Sequence, residues 1–235
     1  MFIMNRPIIA LATPPIKGAL AIIRLSGEGV FELIEKLFPK EINRSRRDLY
    51  FGPLKDLNGN VIDLVVVFAY PGPNSMTGED VIEISCHGSM VIVEQIVEQF
   101  MALGATYATR GEFSSRAFYN GKMDLVEAES VNDLINATTI EAKNLALLSL
   151  TGETSKRVGP LKEEIASLLA QLEVGIDYPE YEDVEEATQE TIINACTRIR
   201  ARISSLISEG NDGRIIKEGI NVALVGVPNV GKSSL

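Results

Sequence analysis

The sequence has few cysteines, no long apolar run and no excess of basic side chains. Its two cysteines, Cys86 and Cys196, lie far apart in different kinds of sequence, which argues against a disulfide framework or a metal cluster. No apolar stretch approaches the roughly 20 residues that a membrane helix needs. The start of the chain also lacks the apolar core and cleavage site of a signal peptide. We therefore expect a cytoplasmic protein with reduced thiols and no membrane association.

The charge balance is acidic, with 22 Lys and Arg against 32 Asp and Glu and a formal net charge of −10. Most of the excess negative charge lies in residues 121–220. A protein that binds nucleic acid without a partner usually has a basic surface. Any contact with RNA is therefore expected to need a partner or a further part of the protein. The 235 residues are enough for one or two globular domains.

Residues 1–120 have the pattern of an α+β domain. The sequence Leu57-Asn58-Gly59-Asn60 is a hairpin signal that precedes a strand. Helical spacing predicts helices at 30–37 and 91–103. Short apolar runs predict the strands, which are 8–12, 19–23, 61–69, 81–85 and 105–108.

Residues 121–219 are expected to form a helical domain. Apolar residues recur at helical spacing over 123–148 and again after Pro160, which suits the first position of a helix. Tyr178-Pro179 is expected to end that helix. Because amphipathic helices of this kind are unstable alone, we expect them to pack in a bundle.

A further amphipathic helix is expected over 192–206, ending at the glycines of 210–213. Cys196 falls on its apolar stripe and is expected in the core. The acidic residues of 180–190 suit a helix N-terminus, where the macrodipole favours negative charge.

Residues 220–235 contain a nucleotide-binding signature. The apolar run 220–225 predicts a strand, and it leads into Gly226-Val227-Pro228-Asn229-Val230-Gly231-Lys232-Ser233, which has the spacing of a phosphate-binding loop. The glycines let backbone N–H groups curl around phosphates. Lys232 would meet the β- and γ-phosphate charge, and Ser233 would place a hydroxyl on Mg²⁺. Strand, loop and spacing together predict the start of a GTPase domain.

Several further motifs run along the chain in order. They are Ala12 to Pro15, Gly18 to Gly27, Pro71 to Asp80, His87-Gly88, Gly111 to Leu125 and Ile176 to Pro179. Together with the phosphate-binding loop, they resemble the MnmE (TrmE) family of tRNA modification GTPases over essentially the whole sequence. Several motifs in the right order are far more specific than any one of them.

The resemblance implies a folate-binding-like N-terminal domain that forms a homodimer and holds a 5-formyltetrahydrofolate-type one-carbon donor. It also implies a helical domain interrupted in sequence by the GTPase domain. Members of the family are expected to work with an FAD-containing MnmG-type partner in a heterotetramer. Their expected reaction adds an aminomethyl or carboxymethylaminomethyl group to carbon 5 of wobble uridine 34 in tRNA. GTP hydrolysis is expected to depend on K⁺ and Mg²⁺.

Three positions match the folate-binding residues of the family. Arg24 lies in an otherwise apolar strand, where an unpaired charge would be costly. Glu83 alternates with apolar neighbours on a half-buried strand, and Lys122 precedes a helix. Each position also has a plainer interpretation. Arg24 would reach solvent or an internal carboxylate, Glu83 would form a structural salt bridge, and Lys122 would be a solvated surface lysine. The resemblance favours folate contacts for all three and places His87 near the same pocket.

The phosphate-binding loop carries the other expected contacts. The resemblance makes Asn229 a K⁺ ligand and Ser233 a Mg²⁺ ligand, and no catalytic residue is expected within 1–235. The expected GTP contacts are Gly226, Asn229, Val230, Gly231, Lys232, Ser233 and Ser234.

Two loops depart from the family pattern. Ile16-Lys17 stands where a glycine and a basic residue are expected, and Thr109-Arg110 stands where an Arg-Pro pair is usual. Both loops are expected to border the folate site, so the departures bear on the form and affinity of the folate and not on the fold.

Two other functions stay open on sequence grounds. One is a folate-dependent one-carbon transferase in which the phosphate-binding loop is incidental, although the long helices that lead into a strand and this loop argue against it. The other is a non-catalytic scaffold that only dimerises, and a folate titration separates it from the rest.

Residues 1–235 contain only the start of a GTPase domain, without most of the helix that would hold the phosphates. We therefore predict that this chain alone has no GTPase activity and binds no GTP measurably. Calorimetric titration with GTP and Mg²⁺ checks this, and micromolar binding would contradict it.

Overall fold

The computed structural model describes residues 6–177, 189–218, 223, 225–227 and 231–232. The chain divides into two compact units, Met1–Ala128 and Glu129–Leu235. The first is an α+β unit and the second is helical, which confirms the expected fold class. The expected domain boundaries at 120 and 219 stay predictions. Within the described residues, no helix has the length and hydropathy to cross a membrane.

The first unit is built on a six-stranded sheet with the order β3-β4-β5-β2-β1-β6. All neighbouring strands are antiparallel except β1 and β6, which are parallel. Its elements in chain order are β1 (Ile8–Leu11), β2 (Leu20–Ser26), α1 (Val30–Leu37), β3 (Asp48–Lys55), β4 (Val61–Tyr70), β5 (Val81–His87), α2 (Met90–Ala102), β6 (Thr106–Tyr107) and α3 (Glu112–Tyr119).

The central pair of strands alternates between a core face and an open face. Ile23 and Leu25 of β2 are fully buried in the same cluster as Ile82 and Ile84 of β5. Helices α1 and α2 contribute their apolar residues to this cluster and cover that face of the sheet. Because side chains alternate along a strand, Arg24 and the residue opposite it point to the other face.

The sequence-based elements of residues 8–108 are confirmed with small shifts at their ends, but β3 and α3 were not predicted. Strand β3 contains Gly52 and Pro53, which weaken a strand pattern. It lies at the edge of the sheet, where a proline is tolerated. Helix α3 is short and Ala117 is its one aliphatic residue, so an apolar helical pattern is hard to recognise there.

The second unit contains helices packed as a bundle, as expected. The sequence boundary between the two units falls within helix α4 (Leu125–Asn136). This helix is followed by α5 (Ile140–Leu150), α6 (Glu153–Asp177) and α7 (Gln189–Glu218). Helix α5 packs against both α6 and α7. The ion pairs Arg157–Glu209, at 3.0 Å, and Arg202–Glu164, at 2.9 Å, join α6 to α7 in reversed order, so these two helices are antiparallel.

The expected start of α6 at Pro160 is wrong. The helix begins at Glu153 and Pro160 lies inside it. A proline removes one backbone hydrogen bond from a helix. Leu161, next to it, is 5% exposed, and we infer that its packing outweighs this loss. The expected break at Tyr178-Pro179 lies outside the described residues, which include α6 as far as Asp177.

Two further expectations for the second unit are also wrong. Helix α7 continues through 210–213, where Gly213 packs 3.5 Å from Leu145 of α5, so tertiary contact overrides glycine's low helix propensity. Cys196 is exposed, and the buried residues among the described side chains of α7 are Ala195 and Ile199.

The expected strand at 220–225 is not seen at Ala223 or Val225, the two residues of it that the structure describes. A strand needs a partner, and the described part of the second unit contains none. The acidic segment 180–188 lies outside the described residues.

The loop that precedes β2 passes very close to the end of β5. A Cβ atom added at Gly88 would lie 2.5 Å from the carbonyl oxygen of Gly18. We predict that Gly88→Ala lowers the free energy of unfolding by about 2 kcal/mol, because two backbone segments must separate. Chemical denaturation measures this. Ser89→Ala is the control, because the Ser89 side chain caps no helix. Equal stability of the two variants would contradict the close approach.

Candidate functional site

Arg24 and Glu83 form an ion pair on the open face of the sheet. They are directly opposite each other in the antiparallel register of β2 and β5. The Arg24 Nε donates to Oε1 of Glu83 at 2.7 Å, and its Nη2 lies 2.6 Å from the same oxygen. Both side chains are half-buried. Solvent or an internal carboxylate was the plainer expectation for Arg24, and the structure identifies that carboxylate as Glu83, the second expected site residue.

Apolar and polarisable groups surround this pair. The Arg24 guanidinium lies 5.8 Å from the ring centre of Phe113, within cation–π range. Its Nη1 lies 3.1 Å from the sulfur of Met76. Burial raises the pKa of the Tyr70 hydroxyl, and the negative charge of Glu83 raises it further. The pair therefore lies in a partly desolvated environment and not on an open polar surface.

Residues 71–80, here called the 71–80 loop, join β4 to β5 and are held at several points. The Gly72 N–H donates to the carboxylate of Asp80 at 2.8 Å, and the Gly27 N–H donates to the Asp80 carbonyl at 3.0 Å. On the other side, the Arg47 Nη2 donates to the Asn74 carbonyl at 2.6 Å. The loop is therefore fixed against the sheet.

Lys122 lies against the same loop. Its Cγ and Cε atoms are 3.2 Å from the position that a Cβ on Gly78 would take, so its aliphatic stem rests on that glycine. Asn120 donates to the carbonyl of Thr77 at 2.7 Å and fixes the segment that carries Lys122. Lys122 itself is exposed and precedes α4, as expected. The structure thus brings Arg24, Glu83 and Lys122 to one loop, with direct contact only between the first two.

A buried ionic network lies beside the pair. The Arg116 side chain is 3% exposed, and its Nη1 is 3.1 Å from Oε2 of Glu79. Its Nη2 donates to Oε1 of Glu112 at 3.0 Å. Ser26, two residues after Arg24 on the same face of β2, donates to Glu79 at 2.7 Å and bonds Thr77 at 2.7 Å. None of these residues was predicted as part of the site, although Glu112 and Arg116 have the i, i+4 spacing of a helical ion pair.

The arrangement can bind a ligand that donates N–H groups and carries an anionic part. Oε1 of Glu83 is used by Arg24, but Oε2 accepts no hydrogen bond from any residue in the described part of the chain. That oxygen can accept a donor from a ligand, the Phe113 ring offers an apolar surface, and Lys122 offers a mobile positive charge. In the same described residues, no three His, Cys, Asp or Glu side chains cluster as metal ligands.

Only part of the phosphate-binding loop is described. Lys232 donates from Nζ to the carbonyls of Gly226 and Val227, at 2.8 and 2.7 Å. Gly231 has a φ of 84°, in the region that favours glycine. Asn229, Val230, Ser233 and Ser234 lie outside the described residues. The GTP, K⁺ and Mg²⁺ contacts therefore stay predictions.

His87 and Cys86 have structural partners on the sheet. The ring Nδ1 of His87 is 2.7 Å from Oδ1 of Asp63, and Asp63 also accepts the His87 N–H at 2.8 Å. Burial, with a smaller contribution from Asp63, raises the pKa of the Cys86 thiol to about 11. Cys86 is 1% exposed in the core. Its thiol is therefore protonated at neutral pH and unsuited to nucleophilic chemistry.

One of the two departures from the family pattern has a structural role. The backbone N–H and the hydroxyl of Thr109 both donate to Oε2 of Glu112, at 2.9 and 3.0 Å, and hold the start of α3. Ile16 is 70% exposed in the loop between β1 and β2. The expectation that both loops border the ligand stays a prediction.

Comparisons with known proteins match both units. The family model for "GTP-binding protein TrmE N-terminus" matches residues 7–122, and that for "MnmE helical domain" matches residues 125–228. A "tRNA modification GTPase MnmE" of Aquifex aeolicus (strain VF5) is 43% identical over 232 residues, which is 99% of this chain and 52% of that protein. Proteins of the same description from Bacillus mycoides (strain KBAB4) and Enterococcus faecalis (strain ATCC 700802 / V583) are 42% identical over 97% of this chain and 50% of their own length. The chain spans about half the length of the curated relatives it matches.

The buried ionic network predicts how the free energy of unfolding depends on pH. Burial tends to raise the pKa of the Glu112 carboxyl, but hydrogen bonds from Thr109 and Arg116 outweigh it, so the pKa lies below its ordinary value of 4.5. A lowered pKa adds stability above the unfolded-state value, and this is lost as the pH falls through the folded-state value. We predict that Glu112→Gln lowers the free energy of unfolding at pH 7 and that the difference from wild type shrinks below about pH 4.5.

Urea denaturation at a series of pH values between about 7 and 3 measures this difference. Glu94→Gln, at an exposed position of α2, is the matched control and should change little. A difference for Glu112→Gln that stays constant over the whole pH range would contradict the assignment.

Proposed function

The chain belongs to the MnmE family of tRNA modification GTPases, and on that premise we propose that its first unit binds a 5-formyltetrahydrofolate-type one-carbon donor at the Arg24–Glu83 pair. The observation that carries this proposal is the pair itself. The half-buried carboxylate of Glu83 is bonded to the Arg24 guanidinium through Oε1. Its second oxygen, Oε2, accepts no hydrogen bond from the described residues.

The residues present suit a reduced folate. The pterin ring carries adjacent N–H and amino donors, and a carboxylate is the group that accepts such donors together. Arg24 holds the carboxylate of Glu83 in a fixed orientation, and Phe113 gives the flat ring an apolar neighbour. Lys122 is exposed with a supported stem, so its ammonium can reach the anionic glutamate tail of a folate.

The donor supplies a one-carbon unit when bound. The residues of this chain would bind and orient it: Glu83 accepts hydrogen bonds, Arg24 holds Glu83, and Lys122 neutralises negative charge. None of these residues has the geometry of a nucleophile with an adjacent base. We therefore propose that this unit positions the donor and that the bond-forming steps involve other groups of the assembled enzyme.

For the whole protein we propose the activity that the names of the relatives describe, tRNA modification coupled to GTP hydrolysis. The finer proposal is that it acts with an FAD-containing MnmG-type partner in a heterotetramer. It would install an aminomethyl or carboxymethylaminomethyl group at carbon 5 of wobble uridine 34 in the cytoplasm. The phosphate-binding loop would contact GTP, with K⁺ at Asn229 and Mg²⁺ at Ser233. The match between Lys232 and the loop spacing supports the nucleotide assignment.

We also propose that the first unit forms a homodimer. Strands β3 and β4 present apolar side chains on the open face of the sheet, where Leu49, Phe51 and Leu64 are 54, 59 and 52% exposed. An exposed apolar patch of this kind is typical of an interface. A non-catalytic dimerisation scaffold would use the same face, so this patch alone does not separate the two functions.

Removing either member of the ion pair should weaken folate binding. A hydrogen bond to a charged group contributes about 1.5–3 kcal/mol, so we predict that Arg24→Ala and Glu83→Ala each weaken binding of 5-formyltetrahydrofolate by roughly tenfold or more. Calorimetric titration of the chain measures the dissociation constants. The chain has no tryptophan, so calorimetry is preferable to intrinsic tryptophan fluorescence.

The matched control is Arg44→Ala. Arg44 is also paired with glutamates, Glu32 and Glu35 on α1, so the substitution removes a similar ion pair elsewhere in the same unit. Its affinity should equal that of wild type. Unchanged affinity in both Arg24→Ala and Glu83→Ala would remove the proposed site, and no binding by wild type would leave the scaffold as the better function.

A further inference from the structure

We propose that Glu79 is a positioning residue for the one-carbon donor site and that Arg116 holds it in place. This inference rests on the proposed function, because it concerns the same site. Glu79 lies in the 71–80 loop, and Arg116 lies in α3. Neither side chain has to touch the ligand for the proposal to hold.

Glu79 is the point at which the 71–80 loop is tied to the rest of the unit. Both of its carboxylate oxygens lie near Nη1 of Arg116, at 3.2 and 3.1 Å. Oε2 also accepts the hydroxyl of Ser26 at 2.7 Å. The side chain of Glu79 is 16% exposed, so little water is available to replace these partners. Loss of its charge therefore weakens the attachment of the loop.

Arg116 is itself fixed by groups outside the loop. Its Nη2 donates to Glu112 in the same helix at 3.0 Å, and its Nη1 donates to the carbonyl of Arg6 at 3.0 Å. Arg116 and Glu112 are both 3% exposed. A planar guanidinium can bond two carboxylates in fixed directions, which a lysine ammonium cannot reproduce. Arg116 thus gives Glu79 a rigid reference point.

The residues next to Glu79 are the ones that reach the candidate site. Met76 contacts the Arg24 guanidinium, and Gly78 supports the stem of Lys122. Thr77, between them, accepts Asn120 through its carbonyl and bonds Ser26 through its hydroxyl. A shift of the loop at Glu79 therefore changes the surroundings of Arg24 and Lys122 together. The network acts on the site through the 71–80 loop.

Two isosteric substitutions test this proposal against each other. Glu79→Gln and Glu112→Gln each remove one carboxylate charge from the same arginine, but only Glu79 belongs to the loop. We expect Glu79→Gln to weaken binding of 5-formyltetrahydrofolate by at least about fivefold, the effect of losing part of a charge-assisted hydrogen bond. Glu112→Gln should lower the stability of the unit but weaken binding less than twofold, because Arg116 keeps its bonds through Nη1 to Glu79 and to the Arg6 carbonyl. Urea denaturation of both variants checks that each of them folds.

A second measurement separates positioning from general destabilisation. Lys122→Ala is combined with each glutamine variant, and the folate dissociation constants are compared in a double-mutant cycle. Because Gly78 supports Lys122 next to Glu79, the effect of Lys122→Ala should be smaller in the Glu79→Gln background than in wild type. In the Glu112→Gln background its effect should be unchanged.

Two outcomes would overturn the positioning role and leave the proposed function intact. One is an equal loss of affinity in Glu79→Gln and Glu112→Gln. The other is no loss of affinity in Glu79→Gln while Arg24→Ala still weakens binding. Strict additivity of Glu79→Gln with Lys122→Ala would also overturn it. Wild type that binds no 5-formyltetrahydrofolate would overturn the proposed function, and the positioning role with it.

Discussion

The antiparallel register between β2 and β5 is the constraint on which the first unit depends. It joins the two halves of the sheet and pairs every residue from Leu20 to Ser26 with a residue of β5. Because side chains alternate, the register that buries Ile23 and Leu25 also places Arg24 opposite Glu83 on the other face. A slip by one residue would turn the core residues outward and separate the ion pair. The hydrophobic core and the candidate site are therefore specified by the same strand pairing.

The other polar groups of the site build outward from this pairing. Ser26 is the next residue of β2 on the same face as Arg24, and its hydroxyl donates to Glu79 of the 71–80 loop. Glu79 is also paired with Arg116 of α3. The loop then contacts Arg24 through Met76 and supports Lys122 through Gly78. A buried ionic network of this kind is costly unless each member is paired. Its pairing fixes where the loop lies, which is what a binding site on a loop requires.

Much of the first unit could be predicted from sequence, because its strands and helices carry strong periodic patterns. The pairing of Arg24 with Glu83 could not, since it depends on the strand register between two residues that are 59 positions apart in the sequence. The roles of Glu79 and Arg116 were missed because α3 is short and has one aliphatic residue, so the helix itself was not predicted. In the second unit the glycines and Pro160 suggested helix ends, but packing of Leu161 and Gly213 carries α6 and α7 past them. Local propensity is weaker than tertiary contact at these positions.

The proposed folate site lies on the open face of the sheet at Arg24 and Glu83, beside the 71–80 loop. Amide hydrogen exchange of the wild-type chain with and without 5-formyltetrahydrofolate tests it most directly, because it maps the site without any substitution. We expect slower exchange in the 71–80 loop, in the segment 120–122 and along β2 and β5, with no change in α1. Protection confined to other parts of the chain, or no protection at saturating ligand, would contradict the claim.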